Sequence, residues 1–428
     1  MDITQDFIDE HFRNYILETF CNNQKTILLS DVNQIESLQI ANHKYSSLKG
    51  IEHFTALKEL DCSFNNLSDI DISRNNSLKI LDCGVNKLTS LDLSNNPKLE
   101  NLSCRYNELT QLCTNYNPLL KVLDCNKNQI SSLNLTNNAE LENLDCGFNR
   151  IQDLDVSQNV MLVSINCYWN IISDLNLEQV INLQELNCSY NALFDLNMKR
   201  SSQLVRLDCG NNYLISLDIS NCPELIDIRC NNNHLKNLDI SNNTRLERLR
   251  CFNNHIRSLN LSYSTHLTEL YCSENKIEKL DTTHNPKLEQ VNYADNLIVE
   301  PDYAIKGVGM FQYDVSASTY TSTLCYKEQE LPVSTEAVTK ADMKWLSPII
   351  KEAWNHFDEL SLRALDLIAE THPDEDVSEL VLSEFEFSAN GDFRLGYDAG
   401  DTPAGQLFIY VPFNKKLEIQ SDLVYEIY

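Results

Sequence analysis

One column of residues fixes the architecture of this chain. Cys62, Cys83, Cys104, Cys125, Cys146, Cys167, Cys188, Cys209, Cys230, Cys251 and Cys272 stand 21 residues apart, and Tyr293 takes the next place. Three residues after each of them stands an asparagine, from Asn65 to Asn296, in all twelve units and without an insertion or deletion. The shared phrase is L-x-x-L-D-C-x-x-N-x-L-x-x-L-D-[ILV]-S-x-N. A unit this short cannot bury its own apolar side chains, so each copy has to be covered by the next, and the chain must stack into a solenoid.

The leucine spacing specifies which solenoid. In the first unit Leu57, Leu60, Cys62 and Leu67 point inward from a short strand, and Asn65 turns the chain. Its side-chain amide is placed to bond the backbone of neighbouring coils, whose polar groups would otherwise be buried without partners. Leu67, Ile70 and Ile72 repeat the inward pattern on the opposite side, where Asn75, Asn96, Asn117, Asn138 and Asn159 form a second asparagine column. The expected fold is a leucine-rich repeat solenoid with a parallel β-sheet on its concave face. At about 4.8 Å per strand, the sheet would be roughly 60 Å long.

The cysteines themselves read as small buried apolar residues. Side chains stacked on adjacent parallel strands point the same way, which suits disulfide geometry poorly. No C-x-x-C or C-x-x-H pair offers a metal site. Outside the column stand Cys21, Cys113, Cys222 and Cys325; Cys113 takes a slot that is otherwise Asp or Asn and is expected to be an exposed thiol.

Both ends depart from the repeat. Phe7, Phe12, Tyr15, Ile16 and Phe20 recur at helical spacing, so residues 1–34 read as a helical cap. An irregular unit with Ile40 in the cysteine slot follows, giving a cap and transition region over residues 1–56 and a solenoid over 57–300, with Pro301 as the breaker. Residues 301–428 have a different grammar. GMFQYDVSAS and STLCYKEQELPV suggest strands, KADMKWLSPIIKEAWNHF and ELSLRALDLIAETH suggest helices, and three or four strands follow with turns at Asn390-Gly391 and Ala404-Gly405. This is a small α+β domain.

The unit LKILDCGVNKLTSLDLSNNPKLENLSC resembles the 21-residue, cysteine-containing repeats of bacterial leucine-rich repeat proteins of the internalin type. SLKGIEHFTALKELDC, which joins the cap to the array, is similar to the same family, and the resemblance covers about residues 1–300. It implies the fold and a binding role. The adhesin role is not carried over, because neither a secretion signal nor a wall-anchoring signal is seen. The tail resembles small bacterial domains, some of which occur near toxin–immunity loci.

Charge narrows the partners. A net charge of -28 argues against nucleic acid or an anionic membrane, both of which need a basic face. No apolar run reaches the roughly 18 residues of a membrane span. The acidic start MDITQDFIDEHF lacks the basic and apolar regions of a signal peptide, so a cytoplasmic, monomeric protein is expected, without excluding export by a signal-independent route. Residues 301–428 hold 23 acidic and 9 basic residues. The run His372-Pro373-Asp374-Glu375-Asp376 reads as a solvated loop, and Asp398 and Asp401 read as a hairpin turn. Cys325 and His356 each stand alone, which gives no nucleophile–base pair. No cofactor motif is present.

The register also lists the outward strand positions. Beside the cysteines run Asp61, Asp82, Ser103, Asp124, Asp145, Asn166, Asn187, Asp208, Arg229, Arg250, Tyr271 and Asn292. A second outward column two places earlier holds Arg206, Asp227 and Arg248, so Arg206, Arg229, Arg248 and Arg250 gather on three adjacent strands beyond an acidic ladder. Phe64, Tyr106, Phe148, Tyr168, Trp169 and Tyr190 occupy the two positions before the turn asparagine. Aromatics and arginine are what protein interfaces are enriched in. The expected partner-binding face is therefore Tyr168, Trp169, Tyr190, Arg206, Arg229, Arg248 and Arg250. The leading expectation is a non-enzymatic protein–protein interaction module, in one form an immunity or antagonist protein that blocks a basic toxin. The alternative is an effector whose C-terminal domain is an enzyme and whose repeats select its substrate; self-assembly of the array is a third.

Overall fold

The computed structural model describes the chain except residues 23, 299–301, 315, 374–375 and 421. Pro301, expected to end the array, and the centre of the acidic run at 374–375 lie outside the described residues. The chain divides into two compact units, Met1–Tyr293 and Ala294–Tyr428.

The first unit opens on a cap with less helix than the spacing of its aromatics suggests. The helix is Glu10–Phe20, with Phe12 and Ile16 buried; Leu29–Val32 adds one turn. Asp9 sets the start of the helix, since its carboxylate accepts from Phe12 N at 3.1 Å and from Ser46 N and Oγ at 2.8 Å. One side chain thus caps the helix and ties it to the loop after the first solenoid strand. Ahead of it lies only a short 3-10 turn, Thr4–Asp6. Ile3 N donates to Ile27 O at 2.9 Å, and Ile3 and Phe7 before the helix and Ile27 after it are buried outside any α-helix.

The solenoid then runs as one parallel sheet of 13 strands among the described residues, from Ser37–Gln39 to Gln290–Asn292. Strands of successive repeats pair in register, as Glu185 with Arg206 and Asn187 with Asp208. The central residue of each strand but the last, Gln290–Asn292, and the cysteine after the strand face inward, and all eleven ladder cysteines are buried and free of disulfides. Burial pushes the Cys167 and Cys230 thiols up to about 12, so the column packs as neutral, unreactive side chains.

The turn asparagines join coil to coil. Asn86 Nδ2 donates to Cys62 O of the previous coil and to Cys83 O of its own, both at 3.1 Å, while its Oδ1 accepts from Leu67 N at 3.0 Å. The same pattern recurs along the array, and it satisfies buried backbone groups that the sheet leaves open. The second column works likewise: Asn96 Nδ2 donates to Ile72 O and Asn75 O of the previous coil at 3.2 and 3.1 Å. Cys222 occupies this second asparagine slot, buried, which explains a cysteine outside the main ladder. Cys113 is exposed, and beside it Thr114 takes an inward leucine slot and donates from Oγ1 to Asn138 Oδ1 at 2.7 Å.

The second unit is an eight-stranded sheet whose strands lie side by side in chain order among the described residues. Neighbours are antiparallel except Gln329–Thr335 and Val381–Phe387, which pair in parallel. A parallel pair needs a crossover, and it is supplied by the helices Lys340–Asn355 and Phe357–Thr371. Met343, Leu346, Ile350, Leu360, Ala364 and Ile368 from these helices pack with Phe385, Phe387, Phe393 and Phe413 in one core. The tail supplies four strands, and Asp398 and Asp401 do not form the hairpin turn expected of them. They bracket a β-bulge within the strand Phe393–Thr402, where Gly400 has a positive φ of 86°, and the reversal comes at 403–404. No helix among the described residues is long and apolar enough to cross a membrane.

Candidate protein-binding face

The outward column beside the cysteines has a local structural duty. Asp61, Asp82, Asp124, Asp145 and Asp208 each accept from the backbone N–H two residues on, at 2.8 to 3.1 Å, and so brace the turn that leaves the strand. Burial raises the Asp124 and Asp208 carboxyls above the usual aspartate value.

The four arginines do sit together, on the strands Arg206–Asp208, Asp227–Arg229 and Arg248–Arg250, but they are not a bare basic patch. Arg206 pairs with Glu185, Arg229 with Asp227 at 3.6 Å and Asp208 at 4.0 Å, Arg248 with Asp227 at 3.0 Å, and Arg250 with Glu269. The partners lie on neighbouring strands, or for Arg229 with Asp227 on its own strand, so the cluster is a lattice of alternating charge. Its net charge is close to zero, and each exposed pair is worth under about 1 kcal/mol. A groove of about 460 Å³ runs along this face past Asp124, Asp145, Asn166, Asn187, Asp208 and Arg229.

The aromatics lie at one edge of the sheet, just past the strands. The residue before each turn asparagine is left-handed in all twelve repeats, with φ between 49° and 56°. Asparagine or glycine suits this conformation, and a bulky side chain is an outlier there. Asn211, Asn232 and Asn253 fill it in three successive repeats, whereas Phe148, Trp169 and Tyr190 fill it in the three before them. Those three rings stack, Phe148 on Trp169 at 4.8 Å and Trp169 on Tyr190 at 4.6 Å between centroids. Tyr168 behaves differently. Its ring lies back over Gly147, where a Cβ would collide with it, and meets Phe148 edge-on at 5.2 Å. It is half-buried and supports the stack, while Trp169 and Tyr190 are exposed.

Four further residues belong to this edge and were not in the expected face: Ile171, Phe194, Tyr213 and Ile215. With Trp169 and Tyr190 they give repeats six, seven and eight two exposed apolar side chains each, from 45% exposed at Tyr190 to 63% at Ile215. Phe194 stacks on Tyr213 at 5.3 Å. A column-by-column reading would have found them, because the same slots hold Lys87, Glu108, Gln129 and Arg150, or Ser68, Thr89, Thr110 and Ser131, in earlier repeats. The clustering of apolar residues in polar slots is the signal.

In the second unit the residues considered for chemistry are not brought together among the described residues. Cys325 stands on its strand opposite Glu330, and His356 Nδ1 contacts Glu352 O at 3.0 Å; no hydrogen bond joins the two among the described residues. His372 meets the Tyr425 hydroxyl at 2.6 Å. Among the described residues no group of three or more His, Cys, Asp or Glu is arranged to hold a metal ion.

Comparison with solved structures places the fold. The functional domain of InlJ from Listeria monocytogenes, which includes a cysteine ladder, matches with 31% identity over 70% of this chain and 77% of its own, at a TM-score of 0.56. A leucine-rich repeat protein of Leptospira interrogans matches with 26% identity over 60% of this chain and 72% of its own, at 0.56. An internalin, InlF of Listeria monocytogenes, shares the fold at 22% identity and a TM-score of 0.58, over 68% of this chain and 97% of its own. No family model matches the chain, and no curated protein matches it. With a buried cysteine ladder at a 21-residue period and 31% identity to a solved cysteine-ladder domain, the chain belongs to the leucine-rich repeat proteins of the internalin type.

Proposed function

We propose that this chain is a non-enzymatic binding protein that holds a protein partner on the concave sheet and its aromatic edge in repeats six to eight. Leucine-rich repeat solenoids characteristically present extended concave surfaces for binding. The observation that carries the reading is the exposed set Trp169, Ile171, Tyr190, Phe194, Tyr213 and Ile215, in slots that are mostly polar or small elsewhere in the array. Contiguous exposed apolar residues of this kind mark interaction sites, and aromatic side chains dominate the energetics of such sites. The paired arginines border the edge and would orient a partner more than they bind it. In this reading the chain acts as a cytoplasmic monomer, and the acidic second unit adds a separate contact.

The test is affinity capture with three baits: the wild type, a variant with Trp169→Asn, Phe194→Ser and Ile215→Ser, and a variant with Arg206, Arg229, Arg248 and Arg250 changed to Gln. A protein held by the wild type and lost by the edge variant supports the reading. A partner lost by the arginine variant alone moves the site onto the concave lattice. Equal retention by all three baits removes the solenoid face from the function.

A further inference from the structure

Resting on the edge of repeats six to eight as the binding face, we infer that its partner is an amphipathic helical segment that carries lysine or arginine beside its apolar face. The apolar stripe has an acidic border. Asp153, Asp174 and Asp195 occupy one slot in three consecutive coils, and Asp195 directly follows Phe194. All three are exposed, and among the described residues none takes an ion pair or hydrogen bond. This contrasts with the concave lattice, where Glu185, Asp208, Asp227 and Glu269 already face arginines. In repeats five to eight the slots around the stripe supply those three aspartates against Arg150 alone. Unpaired like charges beside an apolar stripe are complementary to a basic flank on whatever covers the stripe.

The stripe also has a length and a polarity. From Phe148 to His234 it crosses repeats five to nine, about 19 Å at roughly 4.8 Å per coil. A helix covers that distance in about thirteen residues at 1.5 Å each, and its pitch of about 5.4 Å brings one apolar side chain per turn near one coil. Tyr213, His234 and His255 continue the stacked column at 6.2 and 5.8 Å. Past them the same slots turn basic, with Lys236 and Arg257. A bound segment would therefore place its cationic residues over Asp153, Asp174 and Asp195 and an uncharged or acidic end over Lys236 and Arg257.

The probe is a displayed library of random peptides about sixteen residues long, selected on the full chain. Two counter-targets carry residues that the array itself uses in those slots: Trp169→Asn with Phe194→Ser and Ile215→Ser, and Asp153→Ser with Asp174→Ser and Asp195→Ser. Thermal melting of each variant checks that the array remains folded. The expected result is enrichment of apolar–basic amphipathic peptides whose affinity falls at least tenfold on each variant. Enrichment of acidic peptides, or of basic ones that bind the aspartate variant unchanged, overturns the partner chemistry and leaves a binding module. If no peptide is enriched that depends on the edge, both the chemistry and the binding face fall.

Discussion

The indole of Trp169 lies against the ring of Tyr190 with 4.6 Å between centroids and 14° between planes, although both residues hold a left-handed backbone at φ 54°. A bulky residue in that conformation costs on the order of 1–3 kcal/mol. The repeat demands the conformation at every turn, so the strain comes from the choice of residue. Three neighbouring repeats use asparagine there and join their amides, Asn232 Nδ2 to Asn211 Oδ1 and Asn253 Nδ2 to Asn232 Oδ1, each at 2.8 Å. Strained residues of this kind cluster at functional sites, and in the proposed reading the exposed rings of repeats six and seven are what this strain serves.

Changing Trp169 and Tyr190 to asparagine is therefore expected to separate binding from stability. The thermal midpoint should stay the same or rise by a few degrees, while affinity for a captured partner falls at least tenfold. Differential scanning calorimetry and a titration with that partner check the two halves. A large fall in the midpoint would assign the stack to the fold.

The buried asparagine behaves in the opposite way. Asn170 donates to Cys146 O, Cys167 O and Tyr168 O at 3.0 to 3.4 Å and accepts from Ile151 N at 2.9 Å. Asn170→Ala removes a partner from backbone groups in two coils at once, at about 1–3 kcal/mol for each group left buried and unpaired. A loss of about 3 kcal/mol or more is expected in urea unfolding. A loss under 1 kcal/mol would mean that water replaces the amide.

Thiol chemistry reads the register directly. Of fifteen cysteines, Cys113 and Cys325 are exposed and the rest are buried. An aromatic disulfide reagent should titrate two thiols per native chain and all of them in guanidinium. Cys167→Asp would bury a carboxylate among apolar neighbours and is expected to destabilise the array by several kcal/mol. An unchanged melting temperature for that variant would place the column outside the core.

Acid should weaken the solenoid. Asp71, Asp218 and Asp281 are held below the ordinary aspartate value of 3.8 by the hydroxyl and then the N–H of the residue two places on. For Asp92, Asp155 and Asp239 the N–H contributes first. Groups lowered in the folded state contribute stability that is present above the unfolded value and lost as pH falls through the folded one. Asp124 and Asp208, raised by burial, act in the opposite sense, because ionising them costs more in the folded chain. Glu100 is lowered as well, first by its hydrogen bond from Lys79. With seven groups of the repeats against two, the melting temperature is expected to fall as pH drops from about 4 toward 2. A rise over that range would show that the two buried carboxyls dominate.

The solenoid was legible because its contacts connect residue i with i+21, so a linear reading of columns is already a reading of neighbours. Even the ion pairs of Arg206 with Glu185 and Arg248 with Asp227 follow that spacing, and column pairing would have shown the cluster to be neutralised. What escaped depends on non-periodic contacts. The helix begins only at Glu10 because Asp9 bonds Ser46. The bulge at Asp398 and Asp401 is set by pairing with the strand Gly405–Phe413. Ile171, Phe194, Tyr213 and Ile215 lie after the turn asparagine, in slots that are polar in the early repeats, so the repeat phrase assigns them no role.

Oxidative footprinting of the chain, alone and with a captured protein partner, tests the binding face most directly. Trp169, Tyr190, Phe194 and Tyr213 are exposed in the free chain and should lose reactivity together on binding, with Tyr168 and the buried core little changed. Protection confined to Val160, Met161 and Ile181 elsewhere on the array, or to the second unit, would contradict an aromatic edge that holds the partner.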